Sequence, residues 1–283
     1  MLYLFKIYGN KGKHCMKEMT ELELYYNKFN EEKRLDSRHG QVEFIVTMKY
    51  IHKYLNMLLE NRPAGDIRIA DIGAGTGRYS VPLSEEGFDV TAVELVKYNL
   101  GILKKKNSAV KAMQGNALNL KKLPSDHFDI TLLFGPMYHL FGEENKKKAL
   151  SEAKRITKPG GIIFIAYVMN EYGAITYAFK ERNILACMEQ GRFTEDFKCI
   201  SSESDLYDYM RVEEIKALSD DAGLERLLLI SPDGPANYMR PFLNQLTEEE
   251  FKHFIAYQMA TCERQDIIGA GAHTVDILQQ PFS

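Results

Sequence analysis

The chain contains no tryptophan, and only four of its 283 residues are cysteine. Cys15, Cys187, Cys199 and Cys262 are scattered, without the CxxC pairs that a thiolate zinc site needs, so no metal centre is expected. A chain of this length buries enough core to stand without disulfide staples, which makes reduced thiols and a cytoplasmic location the expectation. Long apolar runs are missing too. None approaches the roughly twenty residues that cross a bilayer, and the first residues lack the apolar core and small-residue cleavage site of a signal peptide, so no membrane partner is expected. Charge of one sign is not in excess either: 36 Lys and Arg against 39 Asp and Glu leave a formal net charge of -3. That balance does not suggest a polyanionic partner and does not favour nucleic acid. The lysine runs at 104–106 and 146–148 fall on amphipathic patterns and are expected to form solvated helix faces.

What the chain does contain is an alternation. Residues 22–59 carry apolar side chains at helical spacing, as in Val42, Ile45, Val46, Ile51, Tyr54, Leu55 and Leu58, and read as one or two helices. Residues 1–60 are taken as an N-terminal extension and cap helices; the first fifteen read as dispensable, with Met16 or Met19 a plausible start. The polar stretch NRPAGD at 61–66 ends that regime. Strands are then expected at 67–72, 89–95, 110–113, 128–134 and 161–168, with helices at 78–86, 97–106 and 144–157. The KPGG that follows the last of these helices is expected to break it and turn the chain. A further helix at 211–222, strand at 224–230, helix at 247–264 and final strand at 273–279 complete the pattern. Short strands alternating with helices imply a parallel sheet covered on both faces. The expected fold is a doubly wound, Rossmann-like α/β sheet of seven strands, mostly parallel with an antiparallel last strand, forming one domain over 61–283. Insertions at about 170–209 and 235–268 exceed what sheet crossovers need and are expected to be helical caps.

The most specific motif is ADIGAGTGR, in which Asp71 closes a buried strand and Gly73, Gly75 and Gly77 turn into a helix. Glycine is required where a backbone adopts positive φ or approaches a ligand, and the helix that follows offers free N–H groups. The spacing is GxGxG, with Arg78 where a dinucleotide fingerprint would want Gly or Ala, which counts against a nicotinamide oxidoreductase. Glu94 ends the next strand, where a carboxylate can accept from ribose hydroxyls, and QGNAL places Asn116 and Ala117 at the same sheet edge.

Taken in order, ADIGAGTGR, Glu94, QGNA, FDITLLFGPMYHL and ITKPGGIIFIAYV resemble the class I S-adenosylmethionine-dependent methyltransferases, and GPMYHLF resembles a bacterial subset acting on small molecules. The resemblance covers about residues 67–168. It implies S-adenosyl-L-methionine as cofactor and S-adenosyl-L-homocysteine as product. It places Gly73, Gly75 and Gly77 along the methionine portion, Glu94 at the ribose and Asn116 at the adenine, with Asp71, Ala74, Tyr79, Leu95 and Ala117 also in the cofactor site. Phe134 and Gly135 fall beside the transferring methyl. Asn116 stands where the family often has Asp; its amide oxygen can still accept a hydrogen bond. From the N-terminal segment, Tyr26 and Arg34 are expected to fold over the cofactor. The (N/D)PP(Y/F) signature of enzymes that methylate nucleic-acid bases is missing.

In-line displacement at an activated carbon gains most from alignment, so a general base is optional. His139 and Tyr138, just past the fourth strand, are the candidates for one. Tyr172, Tyr177, Phe179, Tyr238, Phe242 and Tyr257 are candidates to line the acceptor pocket. The expected acceptor is a small molecule; methylation of RNA or protein, or cofactor binding without turnover, are the alternatives left open, as is the oligomeric state.

Overall fold

The computed structural model describes residues 37–106 and 109–282. A long helix, α1 (Arg38–Leu59), leads into β1 (Arg68–Ile72), α2 (Ser80–Glu85), β2 (Asp89–Glu94), α3 (Lys97–Lys105), β3 (Lys111–Gln114), β4 (Phe128–Leu133), α4 (Glu143–Ile156) and β5 (Thr157–Val168). The chain then leaves the sheet through α5 (Asn170–Gly173), a π-helical stretch over Ala174–Lys180 and α6 (Ile184–Glu189). It returns with α7 (Val212–Asp221), β6 (Glu225–Ile230), α8 (Arg240–Leu243), α9 (Glu248–Thr261) and β7 (His273–Gln279). Tyr26 and Arg34, with the rest of residues 1–36, lie outside the described residues.

The strands form one sheet in the order β3-β2-β1-β4-β5-β7-β6. β7 runs antiparallel to both of its neighbours, β5 and β6, and the other pairs are parallel. This is the expected fold, with its last strand beside the fifth. Side-chain period explains the layers: Ile163, Ile165 and Tyr167 of β5 join the core on one face, and Ile162, Phe164 and Ala166 that on the other. With no polar face to show water, the strand must be covered twice. Helices α4 and α7 cover the first face with Ala149, Leu150, Ala153, Ile156, Ile215 and Leu218. Helix α1 covers the second with Val46, Ile51, Tyr54 and Leu55.

Two expectations are corrected. KPGG does not form a turn between helix and strand, because β5 begins at Thr157, directly after α4. The extra residues are absorbed as a register shift between the Phe128–Thr157 and Ile130–Ile162 pairs of β4 and β5, a bulge that keeps pairing on either side of it. Lys146 is not on a solvated face. Its ammonium is buried and bonded to the Leu140 carbonyl and the Asp208 carboxylate, because the returning end of the 170–209 insertion packs against this side of α4. That end is stitched to the carboxyl edge of the sheet: Asp208 N–H donates to the Tyr138 carbonyl at 2.8 Å and Met210 N–H to the Val168 carbonyl at 2.9 Å.

Candidate active site

Strand order reverses between β1 and β4, which leaves a crevice at their carboxyl ends. The glycine turn after β1 occupies it. Gly73, Gly75 and Gly77 take φ values of +79°, +57° and +89°, a region that side chains with a Cβ rarely adopt. Each serves a different neighbour. A Cβ on Gly73 would lie 2.6 Å from Pro136 Cδ, so this glycine lets the loops after β1 and β4 touch. On Gly77 it would lie 2.3 Å from Leu103 Cδ1, so this one seats the turn on α3. On Gly75 it would meet no protein atom within 4 Å, and Gly75 lines the cleft.

Glu94, at the end of β2, is 5% exposed and fixed by two backbone donors: Gly75 N–H reaches Oε2 at 2.8 Å and Val96 N–H reaches Oε1 at 2.7 Å. Burial pushes its carboxyl pKa up, and these donors work against the shift. Asp71 at the end of β1 is fully enclosed; burial raises its pKa to about 6, against a hydrogen bond from the Ser80 hydroxyl. The two carboxylates therefore hold the turn from either side. Asn116 Oδ1 accepts from Leu118 N–H at 2.9 Å, an Asx turn that fixes the amide and leaves the oxygen one further lone pair.

The cleft brings together Asp71, Gly73, Ala74, Gly75, Tyr79, Glu94, Leu95, Asn116, Ala117, Phe134, Gly135, Tyr138 and His139 from the sequence-derived set. Gly77 is not in its lining, in keeping with its packing role against Leu103. Tyr79 and Phe134 pack with ring centroids 4.7 Å apart, and burial raises the pKa of the Tyr79 hydroxyl, so it stays protonated. Burial weakens His139 as a base. Its Nδ1 lies 2.8 Å from the Leu206 carbonyl, which can only accept, and burial lowers the imidazole pKa to about 4. None of the six aromatics proposed for the acceptor pocket lines this cleft: Tyr177 lines a smaller cavity inside the insertion, Tyr172 and Tyr238 pack on each other at 5.2 Å, and Phe179, Phe242 and Tyr257 are exposed.

Sequence reasoning expected cap helices in this segment but missed the residues that α1 contributes to the wall. Gly40, Glu43 and Phe44 line the cleft, and the Phe44 ring lies 5.5 Å from Tyr79 and 4.2 Å beneath the Arg78 guanidinium carbon. The available signal was a glutamate on the apolar side of an amphipathic helix, one residue from the buried Val42.

With this geometry in place, comparison with known proteins is informative. A family model for the methyltransferase domain matches residues 70–165. That stretch runs from β1, through the glycine turn, Glu94, Asn116 and Gly135, to β5. The chain carries a class I S-adenosylmethionine-dependent methyltransferase domain. A demethylmenaquinone methyltransferase of Renibacterium salmoninarum is 33% identical over 99 residues, 35% of this chain and 40% of that relative. A ubiquinone biosynthesis O-methyltransferase of Rhizobium leguminosarum is 30% identical over 135 residues, 46% of this chain and 52% of the relative. The chain thus spans about half or less of the length of these two, and the likeness carries their domain, not their reactions. A Thermotoga maritima structure described as a SAM-dependent methyltransferase, possible histamine N-methyltransferase, superposes with a TM-score of 0.52 at 22% identity, covering 92% of this chain and 98% of that one; at such identity it shows the fold.

The methyltransferase cleft fits its cofactor on its own chemistry. A glycine whose Cβ would enter open space lets a ligand reach the backbone, and a pinned carboxylate at the end of β2 is an acceptor for hydroxyl groups. Aromatic rings of Tyr79 and Phe134 suit a cationic sulfur.

Proposed function

We propose that the protein is an enzyme that transfers the methyl group of S-adenosylmethionine to a small-molecule acceptor. The observation that carries this reading is a single cleft lined by the glycine turn and Glu94 together with Glu43, Tyr138 and His139. In this reading Gly73, Ala74 and Gly75 hold the methionine portion, Glu94 the ribose hydroxyls, and Leu95, Asn116 and Ala117 the adenine. Tyr79, Phe134 and Gly135 flank the sulfonium. The cofactor supplies a methyl group already activated by its cationic sulfur. The chain's residues fix the two reactants and exclude water, which is where alignment gains its rate. Among the described residues the lining holds three carboxylates, Asp71, Glu94 and Glu43, and one arginine, Arg78. Such a lining supports a small acceptor over a phosphate backbone. The names of the two relatives, which concern demethylmenaquinone and ubiquinone biosynthesis, support the same choice.

Calorimetry with S-adenosylhomocysteine tests the cofactor half. Glu94→Ala is expected to weaken binding by about 1.5–3 kcal/mol, the range for hydrogen bonds to a charged group. Unchanged affinity in the folded variant would remove Glu94 from the site.

A further inference from the structure

Three elements that are distant in sequence meet at the carboxyl edge of the sheet, beside the cleft. Because β7 is antiparallel, its first residue, His273, pairs with Val168 at the end of β5. Asp233 follows the end of β6, and Glu43 belongs to the first turns of α1. Asp233 is fully buried and satisfied by three donors: the His273 backbone N–H at 3.1 Å on Oδ1, and His273 Nδ1 and Asn237 Nδ2 at 2.7 and 2.6 Å on Oδ2. Gly271 leaves the necessary room, since a Cβ there would lie 3.1 Å from Asp233 Oδ1 and 2.2 Å from Ser231 Oγ. The imidazole is thereby held in one orientation with Nδ1 as a donor. Glu43 Oε2 lies 3.8 Å from that same Nδ1, and the Tyr138 ring lies 6.3 Å from the imidazole. Glu43 and Tyr138 both line the cleft.

We propose that Glu43, set beside the Asp233–His273 pair, is the acceptor-recognition and proton-accepting carboxylate, and that the acceptor carries a basic amine. The inference rests on the methyltransferase reading of the cleft. Among the described residues this cluster sets two carboxylates, Glu43 and Asp233, against one imidazole, and the cleft lining beside it holds one arginine, Arg78. A carboxylate set against aromatic walls is stabilised by a cation, and the rings of Tyr79 and Tyr138 add attraction for one, the Phe44 ring being already capped by Arg78. An anionic or phenolate acceptor would meet repulsion at the same place. The chemistry also needs a carboxylate here. An amine bound as an ammonium ion must lose a proton before its lone pair can attack, and His139, with its lowered pKa, is ill-suited to take it. The proton passes from nitrogen to Glu43 and on to solvent. The freed lone pair forms the new C–N bond while the pair of the breaking C–S bond stays on sulfur, so the product is the methylated ammonium and a neutral thioether. His273 and Asp233 are positioning residues that act on Glu43 through charge across 3.8 Å, because the Nδ1 proton is committed to Asp233. The same cluster is a weaker seat for a metal ion, because the Asp233 oxygens already serve three N–H donors and Nδ1 donates to one of them.

A small-molecule extract separated by ion exchange into cationic, neutral and anionic pools supplies the probes. Saturation-transfer NMR with protein loaded with S-adenosylhomocysteine is expected to show binding from the cationic pool, and methyl-labelled cofactor is expected to pass its label to that pool alone. In Glu43→Gln both signals should fall at least tenfold while S-adenosylhomocysteine affinity stays within twofold of the parent. His273→Gln should raise KM for the labelled amine more than it lowers kcat. Label entering the neutral or anionic pool overturns the proposal, as does Glu43→Gln with parental transfer. A tenfold loss of S-adenosylhomocysteine affinity in Glu43→Gln would assign Glu43 to the cofactor and overturn it too. Tight S-adenosylhomocysteine binding with no transfer to any pool would instead overturn the enzymatic reading itself, and this inference with it.

Discussion

At the scale of single residues, His139 shows how burial weighs against an assignment made from residue type. An imidazole near a strand end reads as a base, yet its environment lowers its pKa to about 4, so it is neutral at working pH and only weakly basic. A histidine that stays neutral when folded but titrates near 6.5 when unfolded lets the unfolded state bind the extra proton between those values. Its contribution to stability is therefore fully present above pH 6.5 and is lost as pH falls toward 4. Asp71, raised to about 6, acts in the opposite direction over an overlapping range, since there the folded state holds the extra proton. The difference between parent and His139→Asn isolates the histidine. Urea unfolding at pH 7.5 and pH 4.5 is expected to show the parent losing roughly 2–3 kcal/mol more than the variant over that interval. An equal loss in both would mean that His139 is solvated when folded. Methyl transfer by the variant should keep the parental pH profile, because the neutral imidazole does not titrate in the working range.

At the scale of elements, Lys146 ties α4 to the insertion that follows β5. Its ammonium is 3% exposed and bonded to Asp208, which is 22% exposed, so the partner keeps some contact with water. Lys146→Ala is expected to cost about 2–3 kcal/mol, below the figure for a pair buried on both sides. The more diagnostic effect is local: limited proteolysis should cut 196–209 faster in the variant while the sheet resists. Unchanged cleavage would mean that the insertion is held by its backbone bonds to Tyr138 and Val168 alone. The same helix shows why one element was legible and its partner was not. The Ala149, Leu150, Ala153 and Ile156 stripe has helical period and nothing interrupts it, so α4 could be placed to within a residue. Three adjacent lysines look alike in sequence, and only the tertiary path of a segment sixty residues later makes Lys146 different from Lys147 and Lys148.

At the scale of the whole molecule, the sheet and the residues gathered around the glycine turn were readable because they depend on local signals: short apolar strands, glycines at a turn and carboxylates at strand ends. The cluster proposed to meet the acceptor was not, because Glu43, Asp233 and His273 come together only through the antiparallel return of β7 and the docking of α1. The aromatics that composition suggested for it pack on the insertions or face water, as Phe242 does at 63% exposure. That division of labour predicts where the ligand will be felt. A ligand anchored by the glycine turn and covered by α1 should slow amide exchange in 40–47, 73–77 and 134–140 together, because Phe44, Tyr79 and Phe134 form one contiguous aromatic wall. The outer edge, β6 and α7, has no residue in the cleft lining and should exchange at the same rate with and without ligand. Hydrogen–deuterium exchange with saturating S-adenosylhomocysteine measures both halves at once. Protection of 73–77 without 40–47 would show that α1 covers the sheet but not the ligand. In that case Glu43 would stand beside the acceptor path rather than on it, since the wall bearing it would move independently of the turn that holds the cofactor.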